Sequence, residues 1–346
     1  MARDMYSEIR EELDLCNNPV FYYDNDPDGF CSFVQLYKYK GQGKGIIVKD
    51  SPKLGRNYTL SLNNFNDKVF VLDKPMVEDD FFETAKDFGL NVIWIDHHPM
   101  QDVSTFSNVR YFNSLNDKES HKCTSWMCYN AVKQDLWIAM IGIVGDWILP
   151  PDLKEELINQ YPRLIDSKVN EPDEAFFNTN LGKLVMIISF NLKGSASSIR
   201  NSVGAFLKIK NPYDLLDNTS PAASYLIKKF DKVNKVYQKH LSEAKKHAKD
   251  KILLYIYDEL NHSFSKELSN NLMYLFPKHT IVVGRRHNGL VKMSLRSNKN
   301  MSEILRKSLF GINGSGGGHM HACGAQVDSD DFEKFINNLK INIEKG

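Results

Sequence analysis

The sequence contains no run of about 18 apolar residues, so no membrane-spanning helix is expected. It has no CxxC pair. Its five cysteines, Cys16, Cys31, Cys123, Cys128 and Cys323, form an odd and scattered set. They are expected to be reduced, buried thiols in a cytoplasmic protein. The opening stretch MARDMYSEIREELDL is charged and lacks the apolar core of a signal peptide, which points to the same compartment. Internal repeats are missing, and the one biased tract is a glycine cluster near residue 316. An excess of one charge is missing too: 44 Lys+Arg stand against 43 Asp+Glu. That balance hides a split. Residues 1–217 carry 23 basic and 31 acidic residues (−8), and residues 218–346 carry 21 and 12 (+9). With 42% hydrophobic and 25% charged residues over 346 positions, disordered, collagen-like and disulfide-scaffold classes are excluded, and two domains fit the length.

What is present in the first half is an alternation of short apolar runs with helical patterns. Strands are expected at 19–23 (PVFYY), 45–49, 68–72 (KVFVL) and 91–95 (NVIWI), with helices at 30–39 and 78–88 between them. That order predicts an α/β fold with a parallel sheet. Helices are expected at 123–133, 136–144 and 181–192, and residues 170–180 are expected to be a polar connection. Residues 221–251 lack glycine and internal proline and carry nine Lys against three acidic residues, which predicts a long basic helix. Beyond it, strands at 252–257, 280–285 and 290–295 and helices at 266–276, 301–308 and 330–343 predict a second, smaller α/β domain. The resulting boundaries are 1–217, a linker helix over 218–251, and 252–346.

Three strands of the first domain run directly into Asp24, Asp73 and Asp96, and ligands of open α/β sheets bind at the carboxyl ends of strands. The string Asp24-Asn25-Asp26-Pro27-Asp28-Gly29 places three carboxylates at alternate positions. Like charges so close need a positive group among them. Together with His97 and His98 behind Asp96, they suit Mn²⁺ or Mg²⁺. Asp73 in VFVLD and Asp146 in IGIVGDW would each pass alone for a helix cap. Taken together these positions offer enough donors for two divalent ions. Three look-alikes are set aside. GQGKG at 41–45 lacks the Ser/Thr of a phosphate loop, Arg285-Arg286-His287 fits a strand edge as well as a phosphate contact, and Cys123 and Cys128 with His121 lack a second ligand pair for zinc.

In this order, DNDPDG, VLD, DHHP and GDW resemble the motifs of the DHH phosphoesterase superfamily, which includes RecJ exonucleases and nano-RNase/pAp phosphatases. Gly316-Gly317-Gly318-His319-Met320-His321-Ala322-Cys323-Gly324 resembles the GGGHxxAxG signature of the DHH-associated C-terminal domain. The resemblance spans residues 24 to 324. It implies a DHH catalytic domain with a parallel sheet, joined by a long helix to a DHH-associated substrate-binding domain. It implies Asp26, Asp28, Asp73, His97 and Asp146 as ligands of two Mn²⁺ ions, with Mg²⁺ an alternative. His98 and Asp24 would assist catalysis. Arg296, Gly316, Gly317, Gly318 and His319 would grip a phosphate.

The implied activity is metal-dependent phosphodiester hydrolysis by an activated water, with no covalent intermediate. The DPDGFCS form is closer to RecJ sequences and suggests an exonuclease on single-stranded DNA or RNA. The alternative is action on short oligonucleotides, cyclic dinucleotides or pAp. A replication scaffold that has lost catalysis is disfavoured because every expected ligand position is filled. An inorganic pyrophosphatase is disfavoured by the GGGH signature. A second copy of the chain or a replication or repair protein are further partners to consider, and no membrane partner is expected. The basic half is expected to work with the acidic half as a funnel for a phosphate chain, with Tyr255, Tyr257, Phe264, Tyr274 and Phe276 mostly in the core.

Overall fold

The computed structural model describes residues 4–116, 122–248, 251–259 and 262–345. It divides into two compact units, residues 1–192 with 196–227 and residues 193–195 with 228–346. In the first unit the strands are β1 (Pro19–Asp24), β2 (Lys44–Val48), β3 (Lys53–Leu54), β4 (Lys68–Leu72), β5 (Met76–Val77), β6 (Asn91–Asp96) and β7 (Val109–Asn113). Helices α1 (Met5–Asp14), α2 (Pro27–Lys40) and α3 (Asp79–Asp87) pack beside them. A helical stretch follows: α4 (Thr124–Val132), α5 (Leu136–Gly145), α6 (Pro151–Gln160), α7 (Pro172–Asn178), α8 (Asn180–Asn191), α9 (Ala196–Phe206) and α10 (Pro212–Leu216). The unit boundary falls inside α11 (Pro221–Lys245).

Five of the strands form one wholly parallel sheet in the order β2-β1-β4-β6-β7. Parallel strands covered on both faces should read as continuous apolar runs, and PVFYY, KVFVL and NVIWI do. Val20, Phe21, Val69, Phe70, Val92 and Ile93 are fully buried. Helix α5 is apolar all round (LWIAMIGIV) and buried along its length, as an interior helix must be. From β1 the chain moves outward to β2, then returns to the other side of β1 as β4. That reversal makes the carboxyl ends of β1 and β4 the switch point of the sheet, where a crevice opens.

The second unit holds β8 (Ile252–Asp258), α12 (Ser265–Leu275), β9 (Thr280–His287), β10 (Leu290–Arg296), α13 (Met301–Ser308), β11 (Gly314–Gly318), β12 (Ala322–Asp328) and α14 (Phe332–Lys345). Its sheet runs β11-β12-β10-β9-β8, with only the β8–β9 pair parallel. Leu295, Leu305, Phe335 and Leu339 share one apolar core on the α13/α14 face.

The structure adds elements that were not expected, among them β3, β5, β12, α1, α6, α9 and α10, and departs from expectation elsewhere as well. Strand β7 was not anticipated. The polar connection at 170–180 contains α7, whose first turn starts at Pro172 and whose Ala175 is buried. The glycine cluster, for which no element was expected, forms β11, paired with β12. The long basic helix ends at Lys245 and passes into a turn over 246–248. Residues 249–250 lie outside the described residues, as does His121. All five cysteines are free and buried. No helix among the described residues is long and apolar enough to cross a membrane.

Candidate metal centre

Each expected site residue of the first unit sits at the end of a strand or helix. Asp24 closes β1. Asp26 caps α2, its Oδ1 accepting the Gly29 N–H at 3.1 Å, and Asp28 lies in the first turn. Pro27 begins that helix, where a missing N–H costs nothing. Gly29 is required by the close approach of α2 to β1: a Cβ there would lie 2.7 Å from the Asp24 nitrogen. The DPDG string therefore folds the three carboxylates back over the strand end. Asp28 is buried, and both of its oxygens face the start of α4. Oδ2 accepts the Thr124 N–H at 2.9 Å and Oδ1 the Ser125 N–H at 2.8 Å. Backbone donors at a helix N-terminus are suited to hold a carboxylate in one orientation.

Asp73 follows β4 in the left-handed region (φ 60°), a conformation that Asp tolerates better than most residues. It is 2% exposed. Burial, and then the charges of Asp28, Asp26, Asp24 and Asp96, push its carboxyl well above the usual carboxylate range. His97 Nε2 lies 3.3 Å from Asp73 Oδ1 and 3.9 Å from Asp28 Oδ2, and His97 Nδ1 lies 3.7 Å from Asp146 Oδ2. Asp146 ends α5, and the residue after it, Trp147, is left-handed (φ 61°) and stacks on Phe176 of α7.

Asp96 does different work from the other acids. It is fully buried, and its Oδ1 lies 2.8 Å from His98 Nδ1 while Oδ2 accepts the His98 backbone N–H. Burial would lower the basicity of His98. The hydrogen bond and charge of Asp96 outweigh it, and the imidazole is held above its ordinary value.

Several supporting residues escaped sequence reasoning. Lys74 is wholly buried, and its ammonium reaches Asp24 Oδ1 at 2.7 Å and the Asp50 carbonyl at 2.8 Å. It supplies at Asp24 the positive charge that the acidic string demands. The Trp94 indole N–H donates to the Lys74 carbonyl at 3.0 Å and thereby steadies the turn that carries Asp73. Strand β7 contributes Tyr111, which stacks on Trp94 and donates to Asp96 Oδ2 at 3.3 Å. It also contributes Asn113, whose amide donates to the His98 carbonyl at 2.9 Å. The Val-Arg-Tyr-Phe-Asn alternation is the one signal that would have found them.

Possible ligand atoms gather in three groups, each within 4.8 Å: Asp24 with Asp26 and Asp73, Asp73 with His97 and His98, and Asp28 with Cys123 and Asp146. Carboxylate oxygens with imidazole nitrogen form a hard-to-borderline donor set, which fits Mn²⁺ or Mg²⁺. The crowding around buried Asp73 is what a cation would relieve.

In the second unit, Arg296 ends β10. Its Nε donates to Asn270 Oδ1 at 2.7 Å and Nη1 to the Leu295 carbonyl at 2.8 Å. Burial lowers its pKa to about 10, and no carboxylate among the described residues pairs with it. Gly316, Gly317 and Gly318 lie on the exposed edge strand β11. His319 makes the following turn, its N–H donating to the Ala322 carbonyl at 2.8 Å. Each unit is thus internally organised around its own group of expected residues.

The fold and this cluster define a two-unit α/β protein with a metal-type donor set at the switch point of a parallel sheet. Family models match residues 20–146 as the N-terminal domain of the DHH family and residues 224–345 as a DHHA1 domain. The chain belongs to the DHH family, whose members are phosphoesterases. No curated protein matches it in sequence. Among solved structures, RecJ from Thermus thermophilus in complex with Mn²⁺ is similar over 100% of this chain and 55% of its own, with a TM-score of 0.70 and 13% identity. The same protein with Mg²⁺ gives a TM-score of 0.61 at 13% identity, over 100% of this chain and 53% of its own. An exonuclease RecJ bound to manganese gives 0.60 at 14% identity, over 98% of this chain and 94% of its own. The chain therefore spans about half the length of the Thermus protein. At these identities the likeness is one of fold.

Proposed function

We propose that the protein is a divalent-metal-dependent phosphodiesterase that removes nucleotides from single-stranded nucleic acid as a RecJ-like exonuclease in the cytoplasm. In this reading residues 1–217 are catalytic, 252–346 bind substrate and 218–251 connect them. The observation that carries it is the gathering of Asp26, Asp28, Asp73, His97 and Asp146 at one strand-end crevice, with Asp73 held protonation-prone by burial and by its acidic neighbours. These five residues would hold two ions, Mn²⁺ in preference to Mg²⁺. Such ions supply a water of lowered pKa as nucleophile and screen the attacking and leaving oxygens.

The chain's own groups do the rest. The α4 amides fix the orientation of Asp28, and Lys74 holds Asp24 in place beside the ligands. Asp96 holds the Nδ1 side of His98 and favours its imidazolium form, in which Nε2 donates to a phosphate oxygen. Arg296 is a desolvated guanidinium with no acidic partner among the described residues, suited to a substrate phosphate. The bare backbone of β11 lets the same phosphate approach closely.

The test is product analysis on 5′- and 3′-labelled single strands with Mn²⁺, with Mg²⁺ and with EDTA, over lengths from two to about twenty nucleotides. Metal-dependent mononucleotide release from one end of long strands supports the reading. Release confined to the shortest substrates would replace it with the nano-RNase-type alternative. No hydrolysis of any phosphodiester would remove it.

A further inference from the structure

The second unit carries a basic hollow on the face of its sheet turned away from Arg296. Leu295 packs into the α13/α14 core, and its strand neighbour Arg296 reaches Asn270 of α12. The two helical layers therefore cover opposite faces. On the α14 face, where β8 and β9 begin, a cavity of about 1000 Å³ is lined by Lys251, Lys278, Lys299 and Lys340. Ile252 and Leu254 of the edge strand line its floor.

These lysines come from four separate segments of chain. Lys299 is engaged, its Nζ donating to the Ile343 carbonyl at 2.6 Å. Lys251, Lys278 and Lys340 pair with no carboxylate among the described residues, and Glu344 is the one acid lining the cavity. The main chain beneath them is fixed, because the Thr280 N–H donates to the Lys251 carbonyl at 2.9 Å. Mutually repelling ammonium groups over an aliphatic floor form a place for a shared anion.

We propose that this hollow binds the phosphodiester backbone of single-stranded nucleic acid, separately from the Arg296 face. The volume lies at the upper end of small-molecule sites. Beside the lysines and aliphatic surface its lining adds only His247, Thr280 and Glu344, with no carboxamide to pair with a base edge on two atoms. Lysine selects charge rather than shape, which suits a backbone of any sequence better than one nucleotide held in one pose. The choice of a strand over another polyanion rests on the nucleolytic reading above. The site itself rests on the cavity.

The experiment measures anisotropy of a labelled 20-mer oligodeoxythymidylate in EDTA. The intact protein is compared with the combined Lys251→Ala, Lys278→Ala and Lys340→Ala variant, its fold checked by thermal melting. Lys299 is left in place because of its bond to α14. The variant is expected to bind about tenfold more weakly, and its log–log salt slope to shrink by about 2, from three phosphate contacts at roughly 0.7 each. Unchanged affinity and slope in a folded variant would overturn the proposal. Displacement of the 20-mer from the intact protein by inorganic pyrophosphate, as effectively as by unlabelled strand, would also overturn it in favour of a small-anion site. Cleavage is measured separately on the intact protein. Loss of 20-mer binding in the variant, with no cleavage by the intact chain, would sink the nuclease reading and leave the hollow standing.

Discussion

At the scale of single residues, Asp28 and Asp73 are both buried carboxylates in the same cluster, yet the chain treats them oppositely. Asp28 receives two backbone N–H donors, whereas Asp73 receives the Thr124 hydroxyl at 3.3 Å and four neighbouring acids. Replacing Asp28 by Ala leaves the start of α4 without its acceptor and should cost about 1–2 kcal/mol as well as metal-dependent hydrolysis. Asp73→Asn keeps the shape and the left-handed backbone but removes the crowded charge. In EDTA it should stabilise the protein by about 1–2 kcal/mol while abolishing hydrolysis. The sign with pH follows from the raised carboxyl. Above the ordinary value of 3.8 the folded state holds a proton that the unfolded state has lost, so metal-free stability falls as pH rises. The gain from Asn should therefore be larger at pH 8 than at pH 5 in thermal melts, and an equal or smaller gain would show that Asp73 is not the strained group. Asp96→Asn tests the partner of His98. It should lower kcat by about 10–100-fold and move the alkaline limb of the pH profile downward, because the carboxylate that raises His98 is gone. A proportional loss at every pH would reduce Asp96 to a structural role.

At the scale of elements, neighbouring residues of the glycine strand β11 allow folding and the proposed binding to be tested separately. Gly318 has φ 143°, and a Cβ there would lie 2.4 Å from the Ala322 carbonyl oxygen. Gly317 has nothing within 4 Å of its Cβ direction. Gly318→Ala should cost about 1–3 kcal/mol in denaturant melts. Gly317→Ala should leave stability unchanged and raise KM for oligonucleotides several-fold by holding a phosphate off the backbone. If both variants keep KM unchanged, β11 takes no part in binding. The same strand marks the limit of what patterning discloses. Continuous apolar runs exposed β1, β4 and β6, and their acidic ends placed Asp24, Asp73 and Asp96, because a doubly covered parallel strand has a strong signal. A run of glycines has no side-chain periodicity, so β11 could be read as a signature but not as a strand. Strand β7 escaped for a related reason: it is an edge strand of five residues with Arg110 and Asn113 inside it, and its short alternation is weak. With it went Tyr111 and Asn113. Lys74 escaped because burial of a lysine is a tertiary fact, decided by Asp24 and Asp50 from other segments. Helix α7 was hidden by its polar residues, since Ala175 is the buried residue among its seven.

At the scale of the whole molecule, the charge split sets how the protein should respond to salt. Residues 1–217 carry −8, and the candidate metal ligands lie among them. Residues 218–346 carry +9, with Arg296 and the lysine-lined cavity. An acidic region gains nothing from long-range attraction to a phosphate chain, so affinity for a strand should come from the basic region and be lost by counterion competition. With about four to six phosphates contacted, the slope of log affinity against log salt should be about −3 to −4 for single strands. A small, singly charged diester such as bis-p-nitrophenyl phosphate needs little of that help. Its Mn²⁺-dependent hydrolysis should change by less than about twofold between roughly 50 and 200 mM salt, while kcat/KM for a 20-mer falls more than about tenfold. Parallel rate measurements on the two substrates across the same salt series decide the matter. If both rates fell together, salt would be acting on the ion site or on folding, and the division of labour between an acidic and a basic half would be wrong. If neither fell, strand binding would be carried by stacking and shape rather than by the lysines and arginines of the second half.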